Sequence, residues 1–214
     1  MTGKLRMLSL SLETAARFDR EKWQTELSPI LNLWKKLNQG TGMLQLKLQP
    51  PQGDPASPVR AFVQLESYNG VRLVQAVHRS LAALSKVIRG AALLDESVAR
   101  LAAALLQQQT PPSWHRLWPG PDTPLEYIKT LVYKASECSK WVSRAEQGAL
   151  LGDTLDLSDL FHPDTFLSAL QQQTAREYKI SMSALRLVTS WSRSGVPGAK
   201  TAIKVSRYFE TKNS

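Results

Sequence analysis

The sequence predicts a mainly α fold, an amphipathic helical bundle with a short β-hairpin near the C-terminus. Three observations carry that reading. Apolar residues recur at spacings of three and four through most of the chain as far as Arg176. Helix-start signals stand at Ser28-Pro29, at Thr123-Pro124 and at Pro163, where a first-turn proline lacks only an N–H the helix would not use. The period switches to two after Ala184.

Composition agrees with a packed fold. Of the 214 residues, 43% are hydrophobic, enough for a core and too many for wholesale disorder. The formal charge of +9 favours an acidic partner without choosing among nucleic acid, membrane surface and protein. One cysteine, Cys138, excludes an internal disulfide and fits a reducing compartment. The N-terminal stretch has no secretory pattern, and nothing approaches the roughly 20 apolar residues that span a bilayer. A soluble intracellular protein is the expectation.

The elements follow in order. Residues 1–38 form an N-terminal helical segment. Leu8, Leu10 and Leu12 alternate with serines as in a short strand, and Phe18, Trp23 and Leu27 then follow helical spacing. Ser28-Pro29 predicts a fresh short helix through Ile30, Trp34 and Leu37, stopped by Asn38 and Gly40. Residues 39–60 are a Pro/Gly-rich linker, with LQLKL at 44–48 as a small strand. Residues 61–91 give the strongest helix, its apolar stripe running through Leu65, Tyr68, Val71, Val74, Val77, Leu81, Leu84 and Ile88. Gly90 ends it. Asp95 and Glu96 start a second helix with Leu94, Val98, Leu101 and Leu105, closed by Pro111 and Pro112. Trp114 and Trp118 lock a turn-rich connector onto the body. Thr123-Pro124-Leu125-Glu126 is a capping box opening a helix with Ile128, Leu131, Ala135, Cys138, Val142 and Ala145. Asp153, Asp156 and Asp159 read as a solvated connector or a helix start. A helix over residues 160–176 follows, with Phe166, Leu167 and Leu170 as core. Beyond it, Leu185 to Ser192 alternates as a strand, RSGVPGAK turns, and Ile203 and Val205 mark a second strand.

Chemical motifs are sparse. Gly3-Lys4 lacks both the loop and the hydroxyl of a P-loop. His78, His115 and His162 are scattered, and one cysteine cannot build a usual zinc site. Cys138 falls on an apolar stripe and reads as a small core residue. His162 reads as a helix-entry residue. No catalytic, cofactor-binding or metal-ligating residue is assigned. The one partner-contact candidate is the basic stripe of Arg72, Arg79, Lys86 and Arg89, set against the simpler reading of a solvated helix face. Aromatic interleaving of the kind that binds nucleic acid is missing from it.

Longer strings carry a resemblance. LFHPDTFLSALQQQTAR, with Phe161, Pro163, Phe166, Leu167, Ala169, Gln172, Ala175 and Arg176 in place, resembles a segment near the C-terminus of dynein heavy chains. Glu66-Ser67-Tyr68-Asn69, RLVQAVHRSLAALSKVIRG, Thr110 to Trp114, Pro124-Leu125 and Trp141 match further family motifs in the same order. The likeness covers residues 62–192, loosely also 26–38, and is greatest to the branch that drives retrograde intraflagellar transport in cilia.

The resemblance implies AAA+ lid-like helices followed by a C-terminal helical domain. Residues 61–113 would be the helical small subdomain of a sixth AAA+ module, and 114–214 a truncated dynein C-terminal domain. It implies a structural and regulatory part of a motor whose ATP and Mg²⁺ sites lie in modules outside this chain, so no enzyme activity is expected of the chain alone. Implied partners are the other AAA+ modules of the ring and subunits of the dynein complex. Microtubules would be met only through parts absent here, and neither nucleic acid nor membrane is implied. The implied location is cytoplasm, cytoskeleton and cilium. The chain starts at Met1 without motor, linker or stalk, and KVSRYFETKNS departs from the family's continuation. A fragment, an incomplete gene model or a variant C-terminus would each account for that. The competing expectation is a stand-alone basic helical scaffold that binds an acidic protein.

Overall fold

The computed structural model describes residues 18–54, 56–190, 201 and 203–207. Its first element, α1 (Arg20–Asn38), is one continuous helix with Pro29 inside it. A fresh start at Ser28 is therefore wrong. Asp19 caps α1 by accepting from the Lys22 N–H at 3.1 Å, and the Ser28 hydroxyl bonds back to the Gln24 carbonyl instead of capping anything. Trp23, Leu27, Ile30 and Trp34 are all buried along one stripe that crosses the proline. An interior proline costs about 3 kcal/mol. Breaking the helix there would throw two large side chains out of phase, at about 1.5–3 kcal/mol each. Continuity wins. The alternation at Leu8 to Leu12 lies outside the described residues.

The expected strand at 44–48 does not form. The carbonyls of Met43 and Leu46 both accept from Gln75 Nε2 at 2.9 Å, so a side chain satisfies acceptors that a strand partner would need. Helix α2 (Pro58–Ile88) starts earlier than the linker boundary suggested. Its buried phase runs through Val59, Phe62, Val63 and Glu66, then Val71, Val74, Val77, Leu81, Leu84 and Ile88. Leu65, expected on that stripe, is 48% exposed. At 3.6 residues per turn, position 65 sits about 100° away from position 66, which is the one in phase.

Helices α3 (Glu96–Leu106), α4 (Pro112–His115), α5 (Pro124–Glu146) and α6 (Pro163–Glu177) follow. Strand β1 (Thr154–Asp156) lies between α5 and α6, flanked by 3-10 turns at Leu150–Gly152 and Leu157–Asp159, and β2 is Lys204–Arg207. The two strands pair in parallel, Thr154 with Lys204 and Leu155 with Val205. The expected hairpin is therefore corrected. Residues 185–190 belong to no strand, and β2 finds its partner far upstream in β1; residues 191–200 lie outside the described set.

The chain divides into two compact units, and the division falls within α2 and within α5. In the first unit, Met1–Leu46 with Val71–Val132, α1 packs on α3. Trp34 Nε1 donates to His78 Nδ1 at 3.1 Å, and Trp114 Nε1 to Ser80 Oγ at 3.0 Å. The Tyr127 hydroxyl donates to the carbonyls of Trp114 and Trp118, at 2.9 and 3.2 Å, with its ring against both indoles. That locks the connector down as expected. In the second unit, Lys47–Gly70 with Tyr133–Ser214, Phe166 meets Phe62 and, edge-on, Trp141, at ring-centre distances of 5.9 and 5.4 Å. Gly70 admits the Phe161 ring, because a Cβ there would lie 2.8 Å from Cε2.

Candidate functional site

Arg72, Arg79 and Lys86 stand at intervals of seven on the C-terminal part of α2, and Arg89 lies just past its last residue. All four are exposed. The seven-residue spacing keeps the first three on one face, about 10 Å apart per step, and Arg89 follows three residues after Lys86. The four candidates follow one another along the C-terminal part of α2 and its end, and all are solvated. Among the described residues, Arg79, Lys86 and Arg89 have no carboxylate partner; Arg89 Nε donates to the Ser85 carbonyl at 3.3 Å. Arg20 of α1 extends the line, since its guanidinium lies over Gly90, where the backbone turns at φ +74°.

Beside this line is a groove of about 330 Å³. Ala82, Ala83, Val87 and Val98 contribute its apolar surface, and Arg79 and Lys86 its cations. Leu93 also lines it and is 93% exposed. Asp95 is the acid of the groove, but its carboxylate accepts from the Val98 N–H at 2.8 Å and from Ser97 Oγ at 2.7 Å. The Ser97 hydrogen bond is the main reason its carboxyl is held below the usual range. Its charge serves the N-terminus of α3.

The second unit holds a polar cluster built around the buried Glu66, Asp159 and Cys138. Glu66, 2% exposed, accepts from the His162 N–H at 2.7 Å and pairs with His162 Nδ1 at 2.9 Å. The Glu66 hydrogen bond raises the imidazole pKa, opposed by burial. Lys134 Nζ donates to the carbonyls of Ser158 and Leu160 at 2.5 and 2.6 Å, and burial lowers its pKa. Tyr133 donates to Asp159 Oδ1 at 2.9 Å; that bond, with some burial, pushes the phenol up to about 12. Burial raises the Asp159 carboxyl. Burial also raises the Cys138 thiol, whose Sγ lies 3.8 Å from the Asp159 carbonyl. Every one of these groups is engaged with a partner that holds α5, the 157–162 turn and α2 together. Cys138, protonated and enclosed, is the core residue the sequence indicated. Asp159 is buried, against the expectation of a solvated connector. Among the described residues, no group of three or more His, Cys, Asp or Glu is placed to hold a metal ion.

The family model for the C-terminal domain of the dynein heavy chain matches residues 4–206. The chain belongs to this family. At 51% identity over 204 residues, 95% of this dynein domain aligns with cytoplasmic dynein 2 heavy chain 1 of Homo sapiens. It is 52% identical to the Tripneustes gratilla protein of that name over 205 residues, and 36% identical to the Chlamydomonas reinhardtii one over 210. In each case it spans 5% of the relative's length. Among the described residues of this dynein domain, no helix is long and apolar enough to cross a membrane.

Sequence reasoning about this dynein domain missed Glu66, Lys134 and Tyr133. Glu66 had a usable signal. It falls in the buried phase of α2, where a carboxylate without a cationic or N–H partner would be prohibitively costly. Lys134 and Tyr133 gave none, because their partners are backbone carbonyls and a carboxylate in a 3-10 turn whose path the sequence does not reveal.

Proposed function

We propose that this protein is the non-catalytic, structural and regulatory C-terminal part of a dynein heavy chain. In that role it contributes to ATP-driven, minus-end-directed microtubule motor activity and to retrograde intraflagellar transport in cilia. The family match over residues 4–206, with 51% identity to a cytoplasmic dynein 2 heavy chain, supports the reading. Residues 61–113 act as the helical small subdomain of a sixth AAA+ module and residues 114–214 as the C-terminal domain. ATP and Mg²⁺ belong to other modules of the parent motor. The partners are those modules and the other subunits of the complex, in the cytoplasm, on the cytoskeleton and in the cilium. Arg72, Arg79, Lys86 and Arg89 contact an acidic protein surface, which the exposure of all four and the seven-residue spacing of the first three support.

A chimera tests this. The corresponding segment of a full-length dynein 2 heavy chain is replaced by this one, and retrograde transport is followed in cells lacking the endogenous heavy chain. Restored retrograde velocity is expected. A chimera that is expressed and assembled but leaves anterograde cargo stranded at ciliary tips contradicts the reading. The 214-residue protein alone should hydrolyse ATP no faster than a denatured control. The second reading, a stand-alone basic scaffold, is favoured by the exposed cationic line; it predicts binding to an acidic partner outside any heavy chain.

A further inference from the structure

The groove beside the cationic line has features that the line alone does not. Ala82 and Ala83 present only methyl groups, which lets another backbone come close, at the short end of the 8–10 Å range of helix–helix separations. Arg79 and Lys86 are two turns apart, about 10 Å along the axis. His78, at the same groove, accepts from Trp34 Nε1 through Nδ1, so in its neutral form the ring proton sits on Nε2, which makes that nitrogen a donor. Leu93 stands almost fully exposed beside this apolar floor. The acid present, Asp95, is engaged in capping α3.

We infer that this groove receives an amphipathic helix of a protein partner, with apolar residues over Ala82 and Ala83 and carboxylates seven residues apart against Arg79 and Lys86. The inference rests on the reading of the basic line as a contact surface and specifies what it contacts. Charge complementarity selects an acidic occupant, and the floor selects a helix with an apolar stripe. Nucleic acid fits less well, because no aromatic ring other than the His78 imidazole lines the groove to stack a base. A membrane surface fits less well too, since a single exposed leucine offers little to bury.

The probe is a synthetic helical peptide of about five turns carrying a leucine stripe flanked by glutamates at seven-residue spacing. Two controls accompany it: the same peptide with lysines for glutamates, and a scramble that destroys the periodicity. Each is titrated into the isotopically labelled 214-residue protein and followed by amide chemical shifts. The acidic peptide should shift residues 78–98 and the controls should not. Leu93→Ser and Ala83→Trp, each checked for folding by circular dichroism, should weaken binding by about tenfold or more. The double reversal Arg79→Glu with Lys86→Glu should abolish binding of the acidic peptide and create binding of the lysine one. Equal binding of the scramble, or no binding of the acidic peptide, overturns the inference. So does stronger binding at the same residues by phosphatidylserine vesicles or duplex DNA. If charge reversal acts while Leu93→Ser and Ala83→Trp do not, the groove is refuted and the basic contact surface stands. If none of the variants acts, both fall.

Discussion

Glu66 offers the sharpest test of how the second unit is held together. Its carboxylate is buried, and both of its recorded partners belong to His162, the residue at the N-cap position of α6. The bond from the backbone N–H, at 2.7 Å, is a charge-assisted bond inside the protein, a type that contributes about 1.5–3 kcal/mol. The ring contact at 2.9 Å is weaker than its length suggests. The imidazole side chain is 54% exposed, so water screens the ion pair toward the surface range of about 0–1 kcal/mol. Glu66→Gln keeps an acceptor for the N–H and loses the charge, so it should cost about 1–2 kcal/mol near pH 6. Glu66→Ala also orphans the N–H and leaves a void, and should cost about 3 kcal/mol.

The pH dependence separates these contributions. His162 has its pKa raised in the folded protein by Glu66. Stabilisation from its protonation is therefore complete below the unfolded value of about 6.5 and is lost as pH rises through the higher folded value. Urea denaturation at pH 6 and at pH 9 should show the gap between native protein and Glu66→Gln narrowing at the higher pH. The raised Asp159 carboxyl is common to both proteins and cancels in the difference. Histidine ring resonances give a direct check, because the sequence has three histidines. The His162 titration should fall toward its ordinary value in Glu66→Gln. An unchanged gap across that pH range, or the same His162 titration in both proteins, would show that the pair contributes nothing and that the N–H bond alone holds α6.

Pro29→Ala should stabilise the protein by about 1–2 kcal/mol in urea denaturation, because it restores a helix-interior N–H where α1 already runs continuously; a loss of stability would mean that α1 does break there. Gly70→Ala should destabilise by about 1–2 kcal/mol, since its Cβ would meet both Phe161 Cε2 at 2.8 Å and the Ala135 backbone at 3.3 Å, and overpacking outweighs the gain in helix propensity. Adding Phe161→Leu to that variant should recover part of the loss. Cys138 should resist iodoacetamide at pH 8 in the native protein and react fully in urea, because burial raises its thiol pKa; fast native labelling would place it at an open surface.

The parts of the fold legible in the sequence are those decided by one helix at a time. The stripe of α2 from Val71 to Ile88, the helix start at Asp95, the break at Gly90 and the start at Pro163 all depend on spacing or on one backbone position. The cationic line is legible for the same reason, being a single-helix periodicity. The false start at Ser28 and the phase error at Leu65 were local, but the other failures depended on partners distant in sequence. LQLKL alternates as a strand should, yet the Gln75 side chain occupies carbonyls at Met43 and Leu46. Lys204 to Arg207, expected to pair with its neighbour in sequence, instead pairs in parallel with Thr154 to Asp156. Alternation states that a strand is available, and says nothing of which edge it will meet.

Pro29 and Glu66 share one physical logic. Each is a residue that local rules exclude from where it sits, one by helix propensity and one by burial of charge. Each is retained because the apolar phase around it is continuous: Trp23, Leu27, Ile30 and Trp34 on α1, and Phe62, Val63 and Val71 on α2. The difference lies in compensation. Pro29 lacks a donor and its ring crowds the carbonyl one turn back, costs borne within its own helix, so continuity through it needs no partner elsewhere. Glu66 carries a charge and must find one, and the partner it finds, His162, fixes where α6 begins. A forbidden residue whose cost stays within its own helix is thus weak information about tertiary structure. A forbidden charge in an apolar phase is strong information, because it requires a partner from another element. At residue 66 the rule demands a cationic or N–H partner on sequence grounds alone, and His162 supplies both from one residue.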